Sequence, residues 1–309
     1  MPPRNSGRAG PSRRSGSVAR RTVERIADVG DGPGRQRVRD LLAVEEPLEI
    51  VAAGSAGEAA PISVTMRTPG ADFDLVAGFL FAEGLVEDPA GLVAMRYCPG
   101  TDRTEQRYNR VEVCFAAGTV GGEGGWNRRS FYSSSSCGVC GASSIDAVLS
   151  LGCPRVADGP ILSEETLLAL PARLRASQSL FERTGGIHAA ALFDADGTLL
   201  RVREDVGRHN AMDKLVGASL LAGELPLANR IVLLSGRLSF ELVQKAARAG
   251  VGVLAGVSAP SSLAVELAER AGITLVGFLR AASFNVYTGG ARVASPRAAP
   301  HSGPDLKRS

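Results

Sequence analysis

No run in this 309-residue sequence approaches the ~18 consecutive apolar residues that a membrane-spanning helix needs. The arginine pairs Arg13-Arg14 and Arg20-Arg21 are not followed by an apolar stretch. Neither a general secretory nor a twin-arginine signal is therefore predicted, and a cytoplasmic protein is expected. Cysteine is scarce and odd in number, with five residues (Cys98, Cys114, Cys137, Cys140, Cys153), so a disulfide framework is not expected. Only three histidines are present, and Cys137 with Cys140 has no second cysteine pair to complete a structural zinc site. No Gly-x-x-x-x-Gly-Lys-[Ser/Thr] phosphate loop occurs, which argues against ATP hydrolysis. No internal repeat is evident.

Charge is unevenly placed. Residues 1–37 hold nine arginines against Glu24, Asp28 and Asp31, so this segment is basic and the rest of the chain is slightly acidic. The segment is rich in Gly, Ser, Pro and Arg and buries too little apolar surface to fold, so it is predicted to be a solvated tail. Dedicated nucleic-acid binding is not expected of it.

Order is expected from about Val38. Pro47 to Ala53 and Ile62 to Thr68 read as strands, the second alternating Ile62, Val64 and Met66 toward one face. Asp72 is predicted to cap a helix with the apolar face Phe73, Val76 and Leu80. Leu92 to Tyr97 and Arg110 to Phe115 follow as strands, in which Cys98 and Cys114 read as small buried hydrophobes. A glycine-rich loop, Gly118 to Arg129, comes next, and a short helix with Ile145, Val148 and Leu149 on its apolar face follows the cysteine pair. Ser163 starts a further helix running toward Phe181, bent or interrupted at Pro171. From Gly185 the pattern becomes regular. A hairpin (Ile187 to Phe193, Thr198 to Arg203) precedes a helix from Arg208 to Leu221, after which strands at 231–234, 251–257 and 273–278 alternate with helices at 239–249 and 262–271. The last strand is Phe284 to Tyr287. Apolar strands separated by helices predict a largely parallel sheet covered on both faces. The fold class is therefore α/β, with a small N-terminal α+β domain (38–132), a Cys-x-x-Cys loop with connecting helices (133–184) and a three-layer α/β/α domain (185–288). Tails at 1–37 and 289–309 are predicted to lack fixed structure.

Two features carry chemistry. Cys137-Gly-Val-Cys140 lies on a Ser/Gly loop leading into a helix, where backbone N–H groups and the helix dipole favour a thiolate. Such a thiolate attacks a persulfide sulfur, and a neighbouring thiol resolves or protects the product. Half of a zinc site and a thioredoxin-like redox pair are the competing readings. Against the latter, Phe131 to Ser136 does not read as a buried parallel strand. The second feature is a series of strand ends with small and basic residues: Gly207-Arg-His-Asn210, Ser235-Gly-Arg237 and Ser258-Ala-Pro-Ser-Ser262. Ligands of open α/β sheets bind at such ends, and Arg208 with Arg237 favours an anionic one. His188 reads as a core or hydrogen-bonding histidine; His209 fits a ligand contact, proton transfer or a plain helix start equally well. Glu204 and Asp205 read as helix-start acids or as partners for Arg208.

With these residues assembled, the sequence resembles the FdhD family of sulfur carriers required for formate dehydrogenase activity, over roughly residues 38–288. The resemblance rests on Glu46-Pro-Leu-Glu49, Thr65-Met-Arg-Thr-Pro-Gly70, Ser135-Ser-Cys-Gly-Val-Cys-Gly141, Thr184-Gly-Gly-Ile-His-Ala-Ala190, Arg203-Glu-Asp-Val-Gly-Arg-His-Asn210, Ser235-Gly-Arg237, Ser258 to Ser262 and Phe284-Asn-Val-Tyr-Thr288. It implies that a cysteine desulfurase passes sulfur to Cys137, the persulfide-bearing position, assisted by Cys140. The sulfur then goes to the molybdenum of a bis(molybdopterin guanine dinucleotide) cofactor, bound as substrate before insertion into formate dehydrogenase. The family's cofactor-binding stretch maps onto Phe278, Leu279, Arg280, Ala281, Ala282 and Ser283, in the C-terminal domain that also holds Arg208, His209, Ser235 and Arg237. This chain departs from the pattern at Ala281, where glycine is expected; alanine is tolerable there only if the backbone does not need a positive φ. The resemblance also implies a fold similar to cytidine deaminase, but His188 is followed by Ala189-Ala190 and the cysteine pair precedes it, so deaminase chemistry is not expected. A homodimer is left open. A non-catalytic chaperone that binds the cofactor or the dehydrogenase is the alternative function.

Overall fold

Leu48 and Ile50 on one strand, and Val111 and Val113 on its neighbour, point at period two to a single buried face, and a helix with Leu75, Val76 and Leu80 covers it. These residues organise the N-terminal half of the computed structural model, which describes residues 16–28, 30, 32–53, 59–98, 108–119, 155–156 and 159–294. Strands β3 (Glu46–Ala52), β4 (Ala60–Arg67), β5 (Leu92–Tyr97) and β6 (Arg110–Phe115) form a sheet of order β4-β3-β6-β5, with only β3 and β6 parallel. Helix α1 (Asp72–Ala82) packs across it. The predicted alternation of Ile62, Val64 and Met66 fails because the pairing of β3 with β4 shifts register between Ile50 and Val51. Ser63 then sits opposite Ile50 and is buried, and Val64 is 53% exposed.

Asp72 is the first residue of α1 and not its cap, a place taken by Ala71 at φ 52°. Its carboxylate serves the buried Arg67 instead. Arg67 Nε and Nη2 donate to the two Asp72 oxygens at 3.1 and 3.0 Å, and Tyr97 Oη and Gly70 N donate to the same carboxylate. Arg67 Nη2 also donates to the Tyr108 carbonyl at 3.2 Å. A buried pair is tolerated only when its remaining polar atoms are satisfied in this way.

The C-terminal half is a six-stranded sheet of order β13-β12-β11-β10-β8-β9. Its strands are β8 (His188–Phe193), β9 (Leu199–Asp205), β10 (Ile231–Leu234), β11 (Val253–Gly256), β12 (Thr274–Gly277) and β13 (Asn285–Thr288). The expectation of a largely parallel sheet needs correction: only β10, β11 and β12 run parallel, and β8, β9 and β13 pair antiparallel. The apolar runs misled because a strand buried on both faces loses its alternation whichever way its neighbours run. Alternate residues of β8 show the two buried faces. Ala190 and Leu192 point toward helices α4 (Arg208–Leu221), α5 (Phe240–Arg248) and α6 (Ser262–Ala271). Ala189, Ala191 and Phe193 point to α2 (Glu164–Ser177), through Leu167, Leu170 and Leu174. Three layers result. Helix α2 runs unbroken through Pro171 and ends at Gln178, before the short α3 (Ser179–Thr184). No helix among the described residues is long and apolar enough to cross a membrane.

Both predicted tails need correction where they are described. Residues 18–43 form an antiparallel ribbon, β1 (Val18–Asp28) paired with β2 (Pro33–Ala43) in continuous register, and none of these strand residues is buried. The composition was right about burial and wrong about the backbone. At the other end, β14 (Val293–Ala294) pairs with β7 (Leu162–Ser163), so order extends past residue 289. The cysteines also differ from expectation: Cys98 and Cys114 are only part-buried, and Cys98 Sγ donates to Glu112 at 3.5 Å.

The two halves meet where α1 crosses α4, and two glycines set the distance. A Cβ on Gly78 would lie 2.7 Å from the Asp213 carbonyl carbon; one on Gly217 would lie 2.5 Å from Gly78 N. Neither obstacle is a movable side chain. Gly217→Ala is therefore expected to lower unfolding free energy by about 1–3 kcal/mol through overpacking, although alanine in a roomy helix adds roughly 0.5–1 kcal/mol relative to glycine. Urea denaturation decides the sign: a midpoint unchanged or raised would mean that the helices do not approach so closely.

Candidate functional site

The sheet topology gathers one set of chain ends at one edge. Strands β10, β11 and β12 are parallel, so the segments leaving them emerge side by side, and β9 ends at the same edge beside the start of β8, where Asp205 pairs with His188. Backbone bonds tie these segments together. Val257 N donates to the Leu234 carbonyl, Leu238 N to Ala259, Ser261 N to Leu238, Phe278 N to Ser258 and Leu279 N to Gly256. Ser235, Arg237, the 258–262 segment and the 278–283 stretch thus form one continuous ledge.

Along this ledge Arg208 opens α4 behind Gly207, which offers no side-chain cap. Ser239, the N-cap of α5, makes no capping bond either, because its Oγ lies 3.2 Å from His209 Nε2. By contrast, Ser163 caps α2 and Ser261 caps α6. Of the helix starts beside the ledge, those of α4 and α5 therefore keep first-turn N–H groups without a side-chain cap, a favourable setting for an anion. Arg208 Nε is buried and has no hydrogen-bond partner among the described residues. An uncompensated guanidinium N–H of this kind is costly unless a ligand satisfies it. The residues present therefore fit a phosphate-bearing ligand. Arg237 and Arg280 are exposed on the same ledge.

The other expected residues fall into place unequally. Ser235 Oγ accepts from Ala189 N at 2.9 Å and lies 3.4 Å from His188 Nδ1, while Gly236 passes so close that a Cβ would lie 3.4 Å from that nitrogen. His188 is hydrogen-bonded, as its sequence setting suggested. His209 turns toward Glu241 on α5, with Nε2 at 2.9 Å from Oε2. That hydrogen bond holds the Glu241 carboxyl below the usual carboxylate range. Leu279 is buried and acts as an anchor, whereas Phe278 is exposed at φ 50°. Arg280 N donates to the Ser283 carbonyl at 2.9 Å, closing a turn over Ala281 and Ala282. The left-handed position of this stretch is Phe278 and not Ala281, so alanine meets no backbone strain where glycine was expected. Cys137 and Cys140, with the helix expected after them, lie outside the described residues.

Several residues have clear roles that their sequence setting did not assign. Asp205 is fully buried and joins the two halves: its Oδ2 accepts from Thr68 N at 3.1 Å and lies 2.7 Å from Lys214 Nζ, and its Oδ1 accepts from Gly207 N and Asn210 Nδ2. Lys214 Nζ donates in addition to the Thr68 carbonyl at 2.8 Å, and Asn210 Nδ2 to the Met66 carbonyl at 2.7 Å. Asp205 is thus neither a helix-start acid nor a partner for Arg208. Glu204 serves another helix, accepting from Leu180 N and Phe181 N at the start of α3. The available signal was Lys214 itself, a charge in a helix whose other residues from Ala211 to Leu220 are nearly all small or apolar.

Burial, and then the neighbouring Arg208, hold His188 below the usual histidine range. The unfolded chain takes up a proton at this residue near pH ~6.5, whereas the folded imidazole resists until the pH is lower. Its contribution to stability is therefore fully present above ~6.5 and lost as pH falls through the folded value. Urea midpoints measured from pH 7.5 down to 5.5 should decline less in His188→Asn than in the parent chain. Equal slopes would mean that His188 charges freely in the folded state.

Comparison with known proteins agrees with this architecture. Residues 43–294 match the FdhD/NarQ family. The sulfur carrier protein FdhD of Streptomyces avermitilis is 51% identical over 284 residues, covering 91% of this chain and 97% of its own. That of Mycobacterium tuberculosis is 49% identical over 261 residues, covering 82% and 92% respectively. In the crystal structure of a candidate formate dehydrogenase accessory protein from Desulfotalea psychrophila, the fold is shared with a TM-score of 0.67 at 25% identity, over 89% of this chain and 99% of that one. The match spans both halves, the α1–α4 joint and the ledge, and the chain belongs to the FdhD/NarQ family.

Proposed function

We propose that this protein is a cytoplasmic sulfur carrier that delivers sulfur to the bis(molybdopterin guanine dinucleotide) molybdenum cofactor before the cofactor enters formate dehydrogenase. The family match supports the sulfur-transfer role. The observation that carries the cofactor part is the buried Arg208 Nε, without a partner among the described residues, at the uncapped start of α4, on a ledge that also exposes Arg237 and Arg280. Guanidinium groups and free helix N–H groups are the donors that pyrophosphate oxygens need.

In this reading the Cys137 thiolate attacks the outer sulfur of a persulfide held by a cysteine desulfurase. A new S–S bond forms at Cys137, the donor's S–S bond breaks, and the donor leaves as a thiolate. Cys140 protects or assists that species. The ledge holds the dinucleotide arms of the cofactor substrate while the carried sulfur is passed on. Arg208 and the first turns of α4 and α5 bind, and Arg237, Arg280 and Ser283 orient from the rim.

Incubation with a desulfurase and cysteine should add one sulfur to the parent chain by mass spectrometry and none to Cys137→Ala. Normal formate dehydrogenase activity in cells relying on Cys137→Ala would favour a chaperone that only holds the cofactor. Guanosine diphosphate, a fragment of the cofactor arm, should bind with an affinity that falls as salt rises. The double variant Arg237→Ala, Arg280→Ala should weaken that binding at least roughly ten-fold, since hydrogen bonds to charged groups contribute about 1.5–3 kcal/mol each. Equal calorimetric affinities would move the phosphates off this rim.

A further inference from the structure

The β1–β2 ribbon is unused by anything above. Eleven residues of each strand pair in continuous register, yet none is buried, and Ile26 is 58% exposed. The ribbon therefore contributes almost nothing to either core. Its charges are also poorly matched. The register places Arg35, Arg37 and Arg39 at alternate positions of β2, on one face, with Arg20 of β1 on the same side. The acids nearby are engaged elsewhere: Glu24 pairs with Arg35 at 3.2 Å, Asp28 Oδ1 accepts from Gly30 N, and Asp40 Oδ1 accepts from Leu41 N. Arg20, Arg21, Arg25, Arg37 and Arg39 have no carboxylate partner among the described residues.

The mounting of the ribbon shows what it stands beside. Val44 N donates to the Ser17 carbonyl and closes its base, and Ser17 Oγ donates to the Pro69 carbonyl at 2.8 Å. The preceding residue, Thr68, bonds Asp205 and Val206, three and two positions before Arg208. The ribbon thus rises from the corner of the molecule that also carries the start of α4. Residues 43–294 are the family match, so the ribbon precedes it, yet the alignment with the Streptomyces avermitilis carrier covers 91% of this chain, more than residues 43–309 supply. At least part of the ribbon is therefore shared with that relative.

We infer that the ribbon is an electrostatic docking arm for an acidic surface of the protein that receives the cofactor, holding that partner beside the ledge. This rests on the cofactor-delivery reading above. The occupant follows from placement, because an arm rooted next to Arg208 serves the exchange that takes place at the ledge. Single-stranded nucleic acid fits poorly, since no aromatic residue lies in 18–43 to stack on bases. Edge pairing with a second copy is opposed by the like charges along both strands. Unpaired rim charges with little apolar area suit a partner that must arrive fast and leave again.

The test uses the full chain and two variants, Arg35→Gln/Arg37→Gln/Arg39→Gln and the charge-preserving Arg35→Lys/Arg37→Lys/Arg39→Lys. Binding to cofactor-free formate dehydrogenase is measured by surface plasmon resonance at low and high salt, alongside a cysteine desulfurase, a short DNA duplex and the chain itself. The glutamine variant should bind the dehydrogenase roughly ten-fold more weakly at low salt, mainly through a slower on-rate, and the difference should vanish at high salt. The lysine variant should stay within about three-fold of the parent, and guanosine diphosphate affinity should be equal in all three. Equal dehydrogenase binding by parent and glutamine variant overturns the inference. So does an effect confined to the desulfurase, the duplex or self-association, or a loss shared by the lysine variant. If the parent takes up no sulfur from the desulfurase, the sulfur-carrier reading fails while the salt-sensitive docking result stands by itself.

Discussion

The helix crossing at Gly78 and Gly217 is the constraint on which the rest of the molecule depends. Packed helices ordinarily keep their axes 8–10 Å apart, roughly the span of the side chains between them. Here two glycines face backbone, so α1 and α4 approach until main-chain atoms meet. That approach merges the interior of the N-terminal sheet with one face of the C-terminal sheet: Leu48, Ile50 and Val111 belong to the same buried cluster as Leu215, Leu234 and Leu254. A single shared core of this kind does not let the two halves move as independent domains. It also brings the end of β4 against the end of β9, which makes the polar joint at Asp205 necessary.

That joint shows how a charge is kept inside a closely packed interface. Asp205 and Lys214 are almost completely buried, with 0% and 2% of their side chains exposed. Burying such a pair costs several kcal/mol per ion unless every remaining lone pair and proton is used. Thr68 supplies both an N–H and a carbonyl, Gly207 an N–H, and Asn210 an amide that reaches Met66 as well. The Arg67–Asp72 pair nearby follows the same rule with Tyr97, Gly70 and Tyr108. Two of the motifs on which the family resemblance rests, Thr65 to Gly70 and Arg203 to Asn210, are therefore chiefly the two sides of a weld. Within them, Arg208 and His209 are the residues left facing the ledge.

This division explains what was legible in the sequence. Helices α4 and α6 and strand β10 fall where periodicity put them, because their burial is one-sided or complete and the pattern reports burial. Strand direction was not legible, since β8 and β11 are equally apolar whether their neighbours run parallel or not. The ribbon escaped for the opposite reason: a segment with no buried residue leaves no hydrophobic pattern, and its glycines and arginines resemble a solvated tail. The site was half legible. Small and basic residues at strand ends marked the ledge, and Ala281 proved harmless because the strained position is Phe278. Glu241 and Ser239 stayed hidden, since their contact with His209 spans thirty residues of chain or more and depends on how α5 lies against α4.

The joint and the ledge are also physically coupled. Asp205 accepts from Gly207 N and from the Asn210 side chain, so the N–H that a capping residue would otherwise bring toward a ligand is fixed by a group held from the other half of the molecule. The backbone from Asp205 to Asn210 is consequently set by contacts to Met66 and Thr68, and the direction in which Arg208 enters the ledge is set with it. A ligand that meets the unpartnered Arg208 Nε gains a donor already in place, with its ordering cost met during folding and not at binding. The N-terminal half, which contributes no residue to the ledge described here, thereby governs its geometry. It is a positioning scaffold for anion recognition as much as a domain with a core of its own.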